Sequence, residues 1–341
     1  KGECKYVYFA SMQDLRGSAL VGGNFDKNDE VFATPWNLII VDEAHEGTQT
    51  ELGKAVMQEL VKPETKVLRL SGTPFNLLDD FKEDQIYTWD YVMEQRAKAN
   101  WDKIHLGDHN PYASLPRLNI FTYDLGKLLP KYADEDLAFN FREFFRVNAD
   151  GQFIHEHDVR SFLNLISKKD DENNYPYSTE EYRNNFRHSL WMVPGVKEAR
   201  ALSAMLKKHP VFSQFTIVNV AGEGDEEEAN EDALKKVQNA IGEHPEETYT
   251  ITLSCGRLTM GVSVPAWTAV FMLAGSYNTS ATSYMQTIFR VQTPAEINGR
   301  VKEECFVFDF APDRTLRVIA ETAKISAKAG KTSMSDRETM G

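Results

Sequence analysis

Asp42, Glu43 and His45 stand side by side at the end of an apolar run in "LIIVDEAHEG", residues 38 to 47. Two adjacent carboxylates permit a division of labour in nucleotide hydrolysis. One would hold a magnesium ion, usually through water, and the other would orient or deprotonate the attacking water. His45 can link such a site to a neighbouring loop. The bland alternative is a solvated turn that starts a helix with Asp42 as its N-cap, and for an isolated D-E-x-H it weighs at least equally. Three further stretches have chemical potential. "RLSGTPF" (69 to 75) offers the small, hydroxyl-bearing loop Ser71, Gly72 and Thr73. "LTMGVSVPAW" (258 to 267) is a Gly-Pro loop, and "SYMQTIFRVQTP" (283 to 294) reads as a helix with Gln286 and Arg290 one turn apart on one face.

Residues of this kind act together only if buried strands deliver them to a common edge. Short β-rich runs recur: "YVYFA" (6 to 10), "WNLIIV" (36 to 41), "KVLRLSG" (66 to 72), "LNIFTYDL" (118 to 125), "SLWMVP" (189 to 194), "FTIVNVA" (215 to 221), "YTITLS" (249 to 254), "AVFMLAGS" (269 to 276) and "CFVFDF" (305 to 310). Several are apolar on both faces, as in a parallel sheet covered on each side. Between them lie helical patterns such as "VKEARALSAMLKKH" and "ANEDALKKVQNAIG", the latter ending on Gly242. The alternation predicts an α/β fold with open, parallel sheets, in which ligands bind beyond the carboxyl ends of the strands.

Residues 130 to 187 break the rhythm and read as a mainly helical insertion rich in aromatic and charged residues. Phe139, Phe141, Phe144 and Phe145 are expected to form its core rather than a base-stacking platform. "NADGQF" is not a calcium loop: with Gly151 at the sixth position, Arg146 and His157 stand where carboxylates belong, so a β-turn is expected. The acidic run at 222 to 232 reads as a solvated loop and first helical turn.

Length and composition bound the reading. The 341 residues suffice for two domains, and the 42% hydrophobic and 26% charged content is ordinary for a globular protein. No apolar run approaches the roughly 20 residues that span a bilayer, so no membrane association and a cytoplasmic location are expected. Cys4, Cys255 and Cys305 fit neither a disulfide framework nor a zinc site. A net charge of −13 argues against a surface coated with basic residues to grip nucleic acid, while leaving room for a local cleft that binds its backbone.

In order and type, the chemical stretches resemble the motor core of superfamily 2 helicases and translocases, most closely the motor subunits of type I and type III restriction enzymes. "VDEAH" is similar to motif II, the DEAH-box or Walker B sequence, and "SGTPF" to motif III. "TLSCGRLTMGVSVP" resembles motif V, "YMQTIFRVQTP" motif VI, and "HSLWMVPGVKEARALSAML" motif IV. The opening "YVYFASMQDLRG" is similar to the segment preceding motif II in restriction motors. The matches are collinear over roughly residues 6 to 312.

The resemblance implies two RecA-like lobes: residues 1 to 84 the remainder of the first, 85 to 312 the second with its insertion, and 313 to 341 a C-terminal helix and tail. It implies ATP and Mg2+ as cofactors, with Asp42 on the metal and Glu43 as catalytic base. His45, Ser71, Gly72, Thr73 and Gly261 would couple nucleotide to nucleic acid. Gln286 and Arg290 would face the γ-phosphate, Arg290 as an arginine finger. The implied partner is double-stranded DNA, touched at its backbone by Ser11, Gln13, Ser254, Arg257 and Thr259, alongside nuclease, methyltransferase or specificity domains or subunits. The implied function is ATP-dependent DNA translocation in a restriction-type system. The alternatives are a nucleic-acid clamp or scaffold without ATPase activity, or a repair or remodelling translocase.

Three departures qualify the match. No G-x-x-x-x-G-K-[ST] loop precedes "VDEAH", and "AGKTS" (329 to 333) follows no strand, which makes it a decoy. A first lobe truncated upstream of Lys1 is therefore expected, in a fragment unable to hydrolyse ATP alone. Phe289 stands where motif VI has glycine and Thr293 where it has a second arginine, leaving Arg290 alone or aided by Arg300. Ser263 replaces the aspartate of motif V.

Overall fold

The computed structural model describes residues 7–44, 50–75, 77–132, 139–170, 172, 174–222, 227–255, 262–275 and 279–329, with backbone alone for 227–230 and 324–329. They fall into two compact units, a larger one over Thr88–Ser326 and a smaller one that takes the residues up to Tyr87 together with those from Ala327 onward, the last turn of the final helix.

The smaller unit contains α1 (Met12–Arg16), α2 (Asp29–Ala33), β1 (Leu38–Val41), α3 (Glu51–Leu60) and β2 (Lys66–Arg69). β1 and β2 pair in parallel from Leu38↔Lys66 to Val41↔Arg69, which requires a crossover, and α3 lies between them in the chain. Thr50 caps that helix, its hydroxyl accepting from the Gly53 N–H at 3.1 Å. Val56 and Leu60, one turn apart, pack with Leu15, Val21, Val31 and Phe32, and Ile39 joins them from β1. Strand alternation points Leu38 and Ile40 the other way, and both are more than half exposed. Burial on both faces, expected from composition, does not hold for this strand pair. The expected strand at "YVYFA" is a further correction. Among the described residues Val7–Ala10 join no ladder, and Val7 and Phe9 are exposed. A run of strand-favouring side chains becomes a strand only where a neighbour takes up its backbone hydrogen bonds.

The larger unit contains α4 (Tyr91–Ile104), β3 (Arg117–Thr122), α5 (Leu125–Leu128), α6 (Phe141–Phe144), α7 (Glu156–Ser167), α8 (Glu180–Asn185), β4 (His188–Met192), α9 (Val196–Leu206), β5 (Thr216–Asn219), α10 (Glu227–Ile241), β6 (Thr250–Ser254), β7 (Ala269–Met272), α11 (Ala281–Ile288), β8 (Glu296–Ile297), β9 (Arg300–Val301), β10 (Glu304–Asp309) and α12 (Pro312–Ala329). Six strands form one parallel sheet in the order β3-β10-β7-β4-β6-β5, and β8 and β9 make a separate antiparallel hairpin. β4, β6 and β7 are buried at every residue, as the doubly apolar runs predicted. α10 stops at Gly242, whose φ of 76° suits a residue without a Cβ. The Phe271 ring, fully buried, stacks 4.9 Å from Trp191 and 4.7 Å from Phe308.

The described residues of 130 to 187 carry helices and one tight turn. There Gly151 N–H donates to Asn148 O at 3.1 Å and Val147 bridges Phe153. Phe139, Phe141, Phe144 and Phe145 are buried, which removes them from any base-stacking role. They share one continuous core with Trp191, Phe271 and Phe308 of the sheet. The start of α12 belongs to this unit too, with Arg314, Thr315 and Val318 buried. Among the described residues no helix is long and apolar enough to cross a membrane.

One lysine is buried after the hairpin. Lys302, 8% exposed, donates to Pro265 O at 2.9 Å and Trp267 O at 3.1 Å. Burial lowers its pKa from 10.5 to about 8.

Two measurements check this packing. Phe271→Ala should cost about 3–5 kcal/mol in urea denaturation, the range for emptying a large aromatic site. For Lys302, the unfolded state holds more protons than the folded state between pH 8 and its ordinary value. Stability should therefore rise with pH through that window, by about 3 kcal/mol in full. Lys302→Met should lack the rise when both proteins are denatured at several pH values.

Candidate functional site

Parallel pairing places the ends of β1 and β2 at the same edge. The ladder continues past both strands, with Leu70 N–H donating to Val41 O at 2.8 Å and Ala44 N–H to Leu70 O at 3.0 Å. Asp42 and Glu43 are therefore held against the segment that leads into Ser71. Both carboxylates belong to exposed residues, while Ala44 behind them is fully buried and anchors the turn. Asp42 Oδ1 accepts from the Glu43 N–H at 2.9 Å. Glu43 has φ of 45°, a left-handed conformation uncommon for a residue with a side chain. Strain of this kind collects where the backbone must aim a side chain, and here it lies at the residue expected to act as base.

The neighbouring loop is closed on itself. Ser71 Oγ accepts from the Thr73 N–H at 3.1 Å, and Thr73 is buried. A side chain added at Gly72 would meet no atom within 4 Å, so the loop leaves open space in front of its backbone. Asp42, Glu43, Ser71, Gly72 and Thr73 thus share one edge of the smaller unit, whereas His45 lies outside the described residues. Among the described residues no group of three or more His, Cys, Asp and Glu could hold a metal. The pair still suits magnesium, which takes one or two carboxylates and completes its shell with water and substrate phosphates.

In the larger unit the structure brings Val262, in the stretch that resembles motif V, to Arg290, in the stretch that resembles motif VI. Arg290 Nε donates to Gln286 O at 3.1 Å, and its Nη1 donates to Val262 O at 2.6 Å. The side chain expected as a finger therefore holds the backbone of the loop after β6. Gln286 and Arg290 are both half-buried, and Arg300 is exposed on the β8–β9 hairpin. Arg257, Thr259 and Gly261 lie outside the described residues.

Ser254, expected to touch nucleic acid, is fully buried as the last residue of β6, its carbonyl accepting from the Val193 N–H at 2.9 Å. A parallel central strand covered on both faces has no surface to offer there, so Ser254 serves the sheet. Ser11 and Gln13 are exposed, and Ser11 caps α1 by accepting from Asp14 N–H at 3.0 Å. Cys255 sits at the same strand end as Ser254, and burial pushes its thiol up, away from the thiolate a nucleophile requires. Lys302 was missed by sequence reasoning. A single lysine directly after a short hairpin strand carries no signal of burial, because its acceptors are backbone carbonyls 35 and 37 positions away.

No protein-family model matches the chain. The sequence is 28% identical over 390 aligned residues to a Mycoplasma pneumoniae protein provisionally named as the C-terminus of the type II restriction enzyme and methyltransferase RM.MpnORF110P. That alignment takes in 94% of this chain and 52% of the relative, so the chain spans about half of the relative's length. Among solved structures the fold is similar to the ATP-dependent type ISP restriction-modification enzyme LlaBIII bound to DNA, with TM-score 0.50 and 13% identity, over 85% of this chain and 20% of that one. A looser overlap, TM-score 0.38 at 12% identity over 89% of this chain and 60% of the other, is with S. cerevisiae Dbp5 bound to RNA and ADP-BeF3. The architecture is thus α/β and RecA-like, and the chain is similar in sequence to one protein named as a restriction enzyme and in fold to another.

Proposed function

We propose that this chain is part of an ATP-dependent DNA translocase or helicase of a restriction-type system. The observation that carries the proposal is the β1–β2 register, which holds Asp42 and Glu43 beside Ser71, Gly72 and Thr73 at one sheet edge. A chance D-E-x-H in a solvated turn has no reason to meet a second loop of small, hydroxyl-bearing residues. Collinear motifs in both units and likeness to two restriction enzymes support the same reading.

In this reading Asp42 binds magnesium through water, and the ion neutralises charge on the nucleotide phosphates. Glu43, aimed by its left-handed backbone, orients and deprotonates the attacking water. His45, Ser71, Thr73 and Gly261 relay the nucleotide state to the nucleic acid. Gln286 and Arg290 take the roles that the resemblance gives to motif VI, and the Arg290 bond to Val262 O ties that segment to the motif V loop. Ser11, Gln13, Arg257 and Thr259 contact the DNA backbone, a sequence-tolerant mode. The reading requires a phosphate-cradling loop, and no G-x-x-x-x-G-K-[ST] pattern stands ahead of Asp42 in the 341 residues. A methyltransferase activity in the same protein accords with the name carried by the Mycoplasma relative.

The test is DNA-stimulated ATP hydrolysis by the full-length protein. Glu43→Gln should lower kcat by at least about 100-fold, as loss of a general base does, with nucleotide still bound. Equal rates for both proteins would reject Glu43 as the base. Absence of hydrolysis together with retained DNA binding would favour a clamp.

A further inference from the structure

The larger unit buries a complete ion pair that no proposed step uses. Asp309, at the end of β10, is 0% exposed and Arg314, in the first turn of α12, is 1% exposed. Every atom that can bond does so. Asp309 Oδ1 accepts from Arg314 Nη2 at 2.6 Å and from Ala311 N–H at 2.9 Å. Oδ2 accepts from Arg314 Nε at 3.2 Å, Tyr284 OH at 2.9 Å and Thr315 Oγ1 at 2.7 Å. The guanidinium also donates to Met272 O at 3.3 Å and to Ala274 O, past the end of β7. Its Cζ lies 5.5 Å from the Phe141 ring centre and 5.7 Å from that of Tyr284.

Such a pair is a poor way to hold a core together, since well-packed apolar residues of similar volume stabilise as much or more. What the charges add is direction, because each bond has a fixed angle and a named partner. The partners come from β10, the β7 loop, α11 and α12. Gly275 makes room for them: its φ is 90°, and a Cβ there would lie 2.7 Å from Arg314 Nη1. A second arginine of the same helix, Arg317, donates through Nη2 to Thr279 O, immediately before the N-cap of α11.

We propose that the Asp309–Arg314 pair is a positioning device for α11, gripping Tyr284 so that the rotation of the helix about its axis is set. Tyr284, Thr287 and Ile288 face the core, whereas Gln286 lies about 200° around the helix from Tyr284. Rotation of α11 would swing Gln286 and Arg290 away from the Val262 loop. The consequence for hydrolysis rests on the motor reading above; the consequence for the helix does not.

The experiment has two arms. In the 341-residue chain, hydrogen exchange is followed for Tyr284→Phe, Arg314→Lys and Thr315→Val. Tyr284→Phe removes only the hydroxyl that α11 gives to Asp309, and Arg314→Lys keeps the charge without the planar fork. Both should speed exchange of residues 281–292 about tenfold, the equivalent of one hydrogen bond, and leave β4 and β6 unchanged. Thr315→Val removes a bond to the same carboxylate from α12 and a longer contact of 3.3 Å with the Tyr284 hydroxyl, so it should speed exchange in α11 less than Tyr284→Phe does. Should Arg314→Lys fail to fold, Tyr284→Phe and Thr315→Val decide between them. Equal effects of these two, or protection lost across the sheet, would overturn the proposal. In the full-length protein Tyr284→Phe should lower kcat for ATP about tenfold with KM held within about twofold. An unchanged kcat in a protein that Glu43→Gln inactivates would overturn the catalytic consequence. If the unsubstituted protein hydrolyses no ATP, the motor reading fails and the exchange result alone judges the device.

Discussion

Parallel strand pairing imposes the constraint on which the other features depend. A parallel ladder returns each strand in the same direction, so every strand ends at one edge, and the loops leaving that edge carry backbone groups the ladder no longer pairs. In the smaller unit the edge holds Asp42 and Glu43 against Ser71 and Thr73. In the larger unit it holds Ser254, the Met272 to Gly275 turn, and Asp309. Chemistry collects at these positions because the register leaves polar groups nowhere else to gather.

Loops at such an edge need partners for their carbonyls, and this molecule supplies cations. Arg290 donates to Val262 O, Lys302 to Pro265 O and Trp267 O, and Arg314 to Met272 O and Ala274 O. Each is a long side chain reaching from a later element back to a loop after an earlier strand. The three together fasten the β6–β7 and β7–α11 connections to the hairpin and to α12. A cation suits this task because a carbonyl oxygen retains a lone pair even where the geometry allows no amide to approach. Burial lowers the Lys302 pKa to about 8, while Arg314 is paired with Asp309.

The aromatic segment between α5 and β4 belongs to the same economy of packing. Phe141 lies over the Arg314 guanidinium, Phe144 and Phe162 meet edge to face, and Tyr177 stacks on Phe271 at 5.3 Å. Residues that read as an interruption of the strand and helix rhythm therefore close one face of the central sheet.

Periodicity and residue type by themselves determined the local facts. The central strands were legible because their residues are apolar on both faces. The end of α10 was legible because only a residue without a Cβ enters the left-handed region freely there, and the D-E pair because an apolar run ends where charges begin. Only the tertiary structure decided which strands are covered on one face, that "YVYFA" joins no described ladder, that Ser254 is enclosed, and that Lys302, Asp309 and Arg314 are buried. Those outcomes depend on partners dozens of positions away in the chain, and a charge can leave water only where such partners converge on it.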